Sequence, residues 1–229
     1  MTPRGIPRAA DAVPRPLPRR FFARPTLVVA RALLGCHICH RVGSRVRRGR
    51  IVEVEAYTDD AASHSRHRRP TPRNAVMFGA AGHAYVYFTY GMHFCFNIVT
   101  EDDGVPGAVL IRGLEDIDGA NGPARLCQAL GLDRRHNGLD LTGGAALWIE
   151  RGRVRRGERV VQTTRVGIRV AVDLPWRFYI AGSIGVSRRD RRAETGDGSR
   201  ETGVGRFKTA DGSGETGRKN QAARNRKRD

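Results

Sequence analysis

The sequence predicts a single domain of mixed α/β class with a basic segment at either end. Segments in which apolar and polar residues alternate, as they do in strands, recur between residues 36 and 115. Two segments with the spacing of helices, at about 26–34 and 122–132, lie on either side of them. The first 25 residues contain six prolines, and few apolar residues follow Ser187, so we expect the packed core between these ends.

The first half of the domain is predicted to contain one helix and four strands. The helix at 26–34 ends at Gly35, and a strand follows in "CHICHRV". A basic turn, "GSRVRRGR", leads into the strand "RIVEVEAY", and a polar loop then extends to residue 74. The next segment, "GHAYVYFTYGMHFCFN", alternates on both sides of a central Tyr-Gly, which is a turn signal. We therefore predict a β-hairpin at about 83–99.

The second half begins with an acidic turn and the strand "AVLIRGLE". The helix "GPARLCQALGL" follows, with proline near its first turn, where a missing N–H is tolerated. Three later segments are predicted to be short strands or turns: "ALWIERG", "RVGIRVA" and "WRFYIAGS". The repeated "ETG" and the Gly, Ser, Arg and Lys content beyond Ser187 indicate disorder. The chain thus divides into a disordered basic arm at 1–24, the domain at 25–187 and a disordered basic tail at 188–229.

The charge of the chain predicts a polyanionic partner. Its 229 residues carry a formal net charge of +18, of which residues 1–25 contribute +5 and residues 188–229 contribute +6, which leaves +7 for the body. Nucleic acid is the expected partner, before an anionic membrane. No apolar run approaches the roughly 20 residues that span a membrane. No export signal is visible, so we predict a cytoplasmic protein, associated with the nucleoid if bacterial, and no membrane partner.

The four cysteines do not indicate a disulfide scaffold, because reduced thiols are the default in the cytoplasm. The stretch from Cys36 to His40 matches the haem-attachment spacing C-x-x-C-H. Such attachment occurs in exported proteins, so we favour two small side chains on a half-buried strand. We predict no metal and no cofactor.

The segment "IVEVEAY" carries two carboxylates on one strand face. Because side chains alternate along a strand, Glu53, Glu55 and Tyr57 share one face, opposite the valines. One interpretation is a solvated face that pairs with nearby arginines. The other is a general base beside an aromatic platform. The spacing alone does not distinguish the two.

The loop after this strand is rich in histidine and arginine. His64 is followed by a group of arginines: Arg66, Arg68, Arg69 and Arg73. Arginine forms bidentate contacts with phosphate, so this group predicts binding to a nucleic-acid backbone around a site.

Eight segments appear in this order along the chain: "GRIVEVEAY", "HSRHRRPTPRNAVMF", "YVYFTYGMHFCFNIV", "AVLIRGLE", "GPARLCQALGL", "LWIERG", "RVGI" and "WRFYIAGS". Together they closely resemble the alkyladenine (3-methyladenine) DNA glycosylases, the methylpurine-DNA glycosylase type of mammals and many bacteria. The resemblance extends from about Pro25 to Ser187. It is specific, because it rests on many ordered segments and not on a single motif.

The resemblance implies an α/β (α+β) fold, a single mixed domain with a curved, largely antiparallel sheet, a protruding β-hairpin and packed helices. It implies a monomeric base-excision repair enzyme that flips alkylated or deaminated purines out of double-stranded DNA. Such an enzyme hydrolyses the N-glycosidic bond and leaves an abasic site. It needs no cofactor.

The resemblance also implies catalytic roles. Glu55 matches the general base of the family, which deprotonates a water for attack at the anomeric carbon. Arg112 and the backbone carbonyl of Val166 match the groups that help to hold this water.

Further residues match the base pocket and the DNA wedge of the family. Tyr57 and Tyr87 match its aromatic walls, and His64 matches the histidine that packs on the flipped base. Asn97 matches the asparagine that crowds the exocyclic amine of guanine. Tyr90, at the hairpin tip, matches the tyrosine that fills the gap left in the duplex.

The position of the lysines predicts a single-function enzyme. The chain has three lysines, Lys208, Lys219 and Lys227, all in the C-terminal tail. Glycosylases that also cut the strand form a Schiff base with an amine. We therefore expect hydrolysis without strand cleavage.

Two segments depart from the family pattern, and two alternative functions stay open. The loop "TDDAAS" is short by about two residues, and the segment that usually precedes "GPxxLC" is nearly absent. A catalytically impaired family member that acts as a DNA-binding protein is therefore one alternative. Hydrolysis of another glycosidic bond by Glu53 and Glu55 is a weaker one, because both side chains point the same way and are poorly placed to flank a bond.

Overall fold

The structure, a computed structural model, describes residues 15–67, 69–89, 91–190 and residue 194. Its helices in these residues are α1 (Arg19–Phe22), α2 (Thr26–Leu33) and α3 (Pro123–Leu130), with short 3₁₀ turns at Ala75–Phe78 and Arg134–His136. Its strands are β1 (His37–Val42), β2 (Arg45–Tyr57), β3 (Ala84–Thr89), β4 (His93–Val99), β5 (Ala108–Glu115), β6 (Leu147–Glu150), β7 (Val160–Thr163) and β8 (Arg177–Ile180).

These strands form one antiparallel sheet in which β2 is the longest member. The main order is β3-β4-β5-β2-β1-β6, and β8 joins β2 to β7. The register between β2 and β5 shifts on both sides of Glu53, which marks a β-bulge, and bulges bend and twist a sheet. The predicted fold class is confirmed: the domain is mixed, its curved sheet is antiparallel, and β3 and β4 form the predicted hairpin at one edge.

Helices α2 and α3 pack against the sheet. α3 buries Leu126, Cys127 and Leu130, starts at Pro123 as predicted, and ends at Gly131, whose φ of 75° suits a left-handed helix cap. The large hydrophobic core joins these helices to the inward side chains of β2, β4 and β5. None of the helices among the described residues is long and apolar enough to cross a membrane.

The predicted disordered arm at 1–24 is wrong for the described residues near its end. Leu17 and Phe22 are buried, at 2% and 0% exposure, and Pro16 bridges to Glu150 of β6. Proline is compatible with edge pairing and short helices, and these two apolar side chains attach the segment to the core. Residues 1–14, 191–193 and 195–229 lie outside the described residues, so the predicted disorder there stays a prediction.

Two other boundaries differ from the prediction. The segment "GSRVRRGR" is not a turn but largely the start of β2, where Arg45–Arg50 pair with β1. Arg45, Arg47 and Arg48 are exposed, so their long side chains reach water, and the buried Arg50 pairs with Glu115 and Glu158. Strand β7 was not predicted, since four residues are too short to show a clear period, and "RVGIRVA" adopts no strand.

Candidate active site

A cavity of about 380 Å³ lies between strands β3, β4 and β5 and the segment that follows β7. Its lining includes six residues that the sequence analysis singled out: Tyr57, His64, Tyr87, Asn97, Arg112 and Val166. It also includes residues that the analysis did not single out, among them Met77, Tyr85, Cys95 and Leu110. The tertiary structure therefore brings together side chains that are more than 100 residues apart in the chain.

Glu55 lies directly behind this lining and is fully buried. Its Oε1 accepts a hydrogen bond from the backbone N–H of Val166 at 2.7 Å. Its Oε2 accepts from the Tyr57 hydroxyl at 2.9 Å and from Nη1 of Arg112 at 3.3 Å. The interpretation of this strand face as solvated is wrong, because Glu53 and Glu55 are both 0% exposed. Arg112 of β5 and the backbone N–H groups of Val166 and Ser187 donate to their carboxylates in place of water.

Val166 contacts Glu55 through its N–H. The resemblance implied that its backbone carbonyl would hold a water, and that role stays a prediction. The N–H instead orients the carboxylate, and hydrogen bonds from a backbone N–H to a carboxylate are charge-assisted and strong. Because three donors converge on Glu55, its position is well defined before any ligand enters.

Glu53 is also fully buried, and it binds the same arginine from the other side. It accepts from Nε of Arg112 at 3.0 Å, from Nε of Arg177 at 2.8 Å, and from the N–H of Ser187 at 2.6 Å. Arg112 thus bridges the two carboxylates. Neither glutamate is itself part of the cavity lining, but Glu55 bonds to Tyr57 and Val166, which are. Glu53 bonds instead to Arg177 and Ser187, outside the lining. The alternative in which Glu53 and Glu55 flank a glycosidic bond is therefore wrong.

A close approach of two backbone segments makes the Glu53 network possible. Gly113 of β5 lies next to Gly185, and a Cβ at position 113 would lie 2.1 Å from the Gly185 carbonyl oxygen. Only glycine permits this contact. It brings Ser187 within hydrogen-bonding distance of Glu53.

The aromatic wall of the cavity contains His64, Tyr85 and Tyr87. Nδ1 of His64 and the Tyr85 hydroxyl form a hydrogen bond of 2.8 Å, and the His64 and Tyr87 ring centroids are 4.5 Å apart in an edge-to-face arrangement. Desolvation at the cavity, with the charges of Arg73 and Arg66, lowers the pKa of His64, which favours its neutral form. Burial also raises the pKa of Tyr87.

The shortened loop after Tyr57 still delivers His64 to the cavity. Asn74 is buried, and its side-chain amide donates to the His64 carbonyl at 2.8 Å and to the Arg69 carbonyl at 3.3 Å. Across the cavity, the Asn97 side-chain amide donates to the Tyr85 carbonyl at 3.0 Å. Both asparagines are therefore held by the backbone of neighbouring segments.

The remaining predicted residues lie at the mouth of the cavity or outside the described residues. Arg66, Arg69 and Arg73 are exposed, and the Arg73 guanidinium lies 5.4 Å from the Tyr87 ring centroid. Arg68 and Tyr90 lie outside the described residues. Next to Tyr90, Met92 is 68% exposed and Phe88 is 41% exposed, so this end of the hairpin presents apolar surface to solvent.

Comparison with known proteins agrees with this geometry. Residues 20–184 match the methylpurine-DNA glycosylase family. A relative from Carboxydothermus hydrogenoformans is 46% identical over 190 residues, covering 76% of this chain and 99% of its own. One from Anaeromyxobacter dehalogenans is 50% identical over 182 residues, covering 75% and 86%. Both are provisionally named 3-methyladenine DNA glycosylases. The chain belongs to the methylpurine-DNA glycosylase family of DNA glycosylases.

Proposed function

We propose that this DNA glycosylase takes a damaged purine from double-stranded DNA into the cavity and hydrolyses its N-glycosidic bond. The observation that carries the proposal is the position of Glu55, which three donors hold directly behind an aromatic cavity. The cavity volume of about 380 Å³ is within the range of small-molecule sites. Tyr57, Tyr87 and His64 supply ring faces on which a purine stacks.

A base inside a duplex is out of reach of a buried carboxylate, so the nucleotide leaves the stack. Unstacking costs a few kcal/mol, and a side chain that fills the gap offsets part of this cost. Tyr90 is our proposal for this wedge, because Phe88 and Met92, two residues before and after it in the chain, expose apolar surface to solvent. The proposed backbone contacts come from Arg66, Arg68, Arg69 and Arg73.

In the hydrolytic step, Glu55 accepts a proton from water as the water oxygen bonds to the anomeric carbon. The bond from that carbon to the base nitrogen breaks, and its electron pair leaves with the base. The carboxylate charge also stabilises the positive charge that develops on the sugar. Oε1 of Glu55 accepts from the Val166 N–H, and the second lone-pair site of this oxygen can accept from the incoming water.

The product is a free base and an abasic site, with the strand intact. A Schiff base needs an amine, and the lysines of this chain lie at Lys208 and beyond. Asn97 is proposed to exclude undamaged guanine by crowding its exocyclic amine. We further propose that the enzyme acts as a monomer, in the cytoplasm, on alkylated or deaminated purines.

The test compares Glu55→Gln with Glu158→Gln, which alters a carboxylate that pairs with Arg50 away from the cavity. Duplexes that carry hypoxanthine, ethenoadenine or 3-methyladenine are incubated with each protein, and abasic sites are then cleaved with alkali. We expect strand breaks with wild type and Glu158→Gln, and binding without breaks for Glu55→Gln. If wild type binds the duplexes but yields no breaks, the chain is the impaired DNA-binding member instead.

A further inference from the structure

Arg165 is a buried arginine beside the cavity that the sequence analysis did not single out. Its side chain is 0% exposed, and its guanidinium forms a bidentate pair with Asp60, at 2.7 Å and 3.1 Å. It also donates to the Ala56 carbonyl at 3.1 Å. Burial of an arginine is costly unless it is paired and hydrogen-bonded, so these contacts hold it in one place.

The guanidinium of Arg165 lies between two aromatic rings. Its central carbon is 4.7 Å from the Tyr57 ring centroid and 5.1 Å from the Trp176 ring centroid. Such stacking is attractive, because the ring faces carry negative potential. Tyr57 lines the cavity, whereas Arg165 and Trp176 do not. Arg165 therefore supports the Tyr57 wall without itself facing the ligand.

The Asp60 pair connects Arg165 to the loop that carries His64. Asp60 accepts from the backbone N–H of Ala62 at 2.9 Å, so the same carboxylate folds the start of this loop. The loop then returns to the strand end, where the Ser65 hydroxyl donates to the Thr58 carbonyl at 2.9 Å. Without Arg165, the Asp60 carboxylate would be buried without its ion-pair partner.

Arg165 is also the residue before Val166, whose N–H donates to Glu55 at 2.7 Å. The Arg165 guanidinium contacts the Ala171 carbonyl at 3.4 Å, at the far end of the same segment. A peptide plane that follows a fixed residue has little freedom. The contacts of Arg165 thus orient one of the three donors that hold the carboxylate.

From these contacts we infer that Arg165 is a positioning residue, which fixes the Tyr57 ring, the His64 loop and the Val166 N–H relative to Glu55. The inference rests on the proposed hydrolytic function of this cavity. It adds a residue that touches neither substrate nor water. It predicts an effect on the chemical step beyond any effect on folding.

The chain offers a matched control in Arg50. This arginine is 1% exposed and also forms a bidentate pair, with Glu158 at 2.9 Å and 2.5 Å, but it lies away from the cavity. Arg165→Met and Arg50→Met therefore remove comparable buried ion pairs. We expect both variants to have a lower free energy of unfolding than wild type. Urea denaturation measures this decrease, so that the excision rates can be compared at equal folded fraction.

The main measurement is the single-turnover excision of hypoxanthine at saturating enzyme. We expect Arg165→Met to slow this rate by about tenfold to a hundredfold, because small misplacements of reacting groups are costly. Arg50→Met is expected to stay within about twofold of wild type, as substitutions remote from a site do. Equal rates for the two variants would overturn the inference, whereas a wild type that excises none of the three lesions would instead overturn the proposed function.

The pH dependence of the excision rate distinguishes the positioning role of Arg165 from the effect of its positive charge. A hydrogen bond to a charged carboxylate favours that form, so loss of the Val166 N–H should move the acid limb of the rate profile to higher pH. The other charged or titratable groups near Glu55 are Arg112, Tyr57, Glu53 and Cys95, and none of them is substituted in these variants. Arg165→Lys keeps the positive charge but lacks the bidentate fork. For Arg165→Lys we expect the acid limb of the pH–rate profile to shift in the same direction, and a single-turnover rate between those of wild type and Arg165→Met. If the acid limb is unshifted in both variants, the inference is contradicted.

If Arg165→Met does not fold, Asp60→Asn provides the same test with a smaller change. It keeps the shape of the side chain and weakens the pair with Arg165, and Glu158→Gln is its control. We expect the single-turnover rate of Asp60→Asn to fall by about threefold to tenfold, in line with a weakened charged hydrogen bond. A rate equal to that of Glu158→Gln would count against the inference.

Discussion

The two halves of strand β2 show how one strand serves two purposes. In the outer half, Arg45, Arg47 and Arg48 are exposed and pair only with β1. In the inner half, Glu53 and Glu55 are fully buried between β5 and β8. Both halves are rich in charge, but Arg48 in the outer half forms a partly exposed ion pair with Glu150, whereas each inner carboxylate is buried and accepts from several donors. In this strand, charge marks the site only where it is buried and held by several partners.

The largest difference between the halves should appear in stability. Glu53→Gln leaves Arg112 and Arg177 with less compensation in a buried network, so we expect a loss of about 3 kcal/mol in the free energy of unfolding. Arg45→Gln, in the outer half, should stay within about 0.5 kcal/mol. Urea unfolding of both variants measures the contrast. A Glu53→Gln protein as stable as Arg45→Gln would remove the distinction between the halves.

A second contrast concerns the hydroxyl that touches Glu55. Tyr57→Phe keeps the ring but removes a hydrogen bond to a charged group, and we expect single-turnover excision to slow by about tenfold. Tyr179→Phe is the control, since its buried hydroxyl bonds to the backbone of Asp190 outside the cavity. Its rate should match wild type at equal folded fraction. If both variants retain the full rate, the Tyr57 hydroxyl plays no part in the chemistry.

The histidines near each half should link stability to pH. His40 lies on β1 opposite Arg47 of β2, and His64 lies at the cavity. Desolvation lowers the pKa of both histidines. The unfolded chain therefore binds protons first, so stability is complete above about pH 6.5 and falls as the pH falls below it. Urea unfolding at pH 7.5 and 5.5 measures this loss. His40→Gln should reduce the loss, and an unchanged loss in this variant would exclude His40 as a contributor.

The smallest expected effect concerns two exposed arginines, Arg66 in the loop after the inner half of β2 and Arg45 in the outer half. If the arginines after His64 bind phosphate, Arg66→Gln should reduce the slope of log binding constant against log salt concentration by about 1. Arg45→Gln, at the far end of β2, should leave the slope unchanged. Titration of a fluorescent duplex over several salt concentrations gives both slopes. The same decrease in both would indicate that DNA covers the outer half as well.

The fold was predictable in outline because its strongest patterns are local. Alternation in "EVEAY" places Glu53 and Glu55 on one face, and Tyr-Gly marks the turn of the hairpin. The short strand β7 and the helix α1 were missed, since four residues carry too little periodicity and proline suggested disorder. Contacts to the core decide the structure of such short segments.

The sequence by itself determined the family, the antiparallel hairpin and six of the residues that line the cavity. Only the tertiary structure decided that Glu55 bonds to residues of the cavity lining while Glu53 bonds to Arg177 and Ser187 beyond it. It also decided that Arg165 contacts both Tyr57 and Asp60. The two glutamates have the same spacing and the same strand face. Apart from Tyr57 on the same strand, their donors come from residues 112, 166, 177 and 187, and the position of these segments depends on the packing of the whole sheet. Local pattern carries no information about such partners, because hydrogen bonds depend on distance in space and not along the chain.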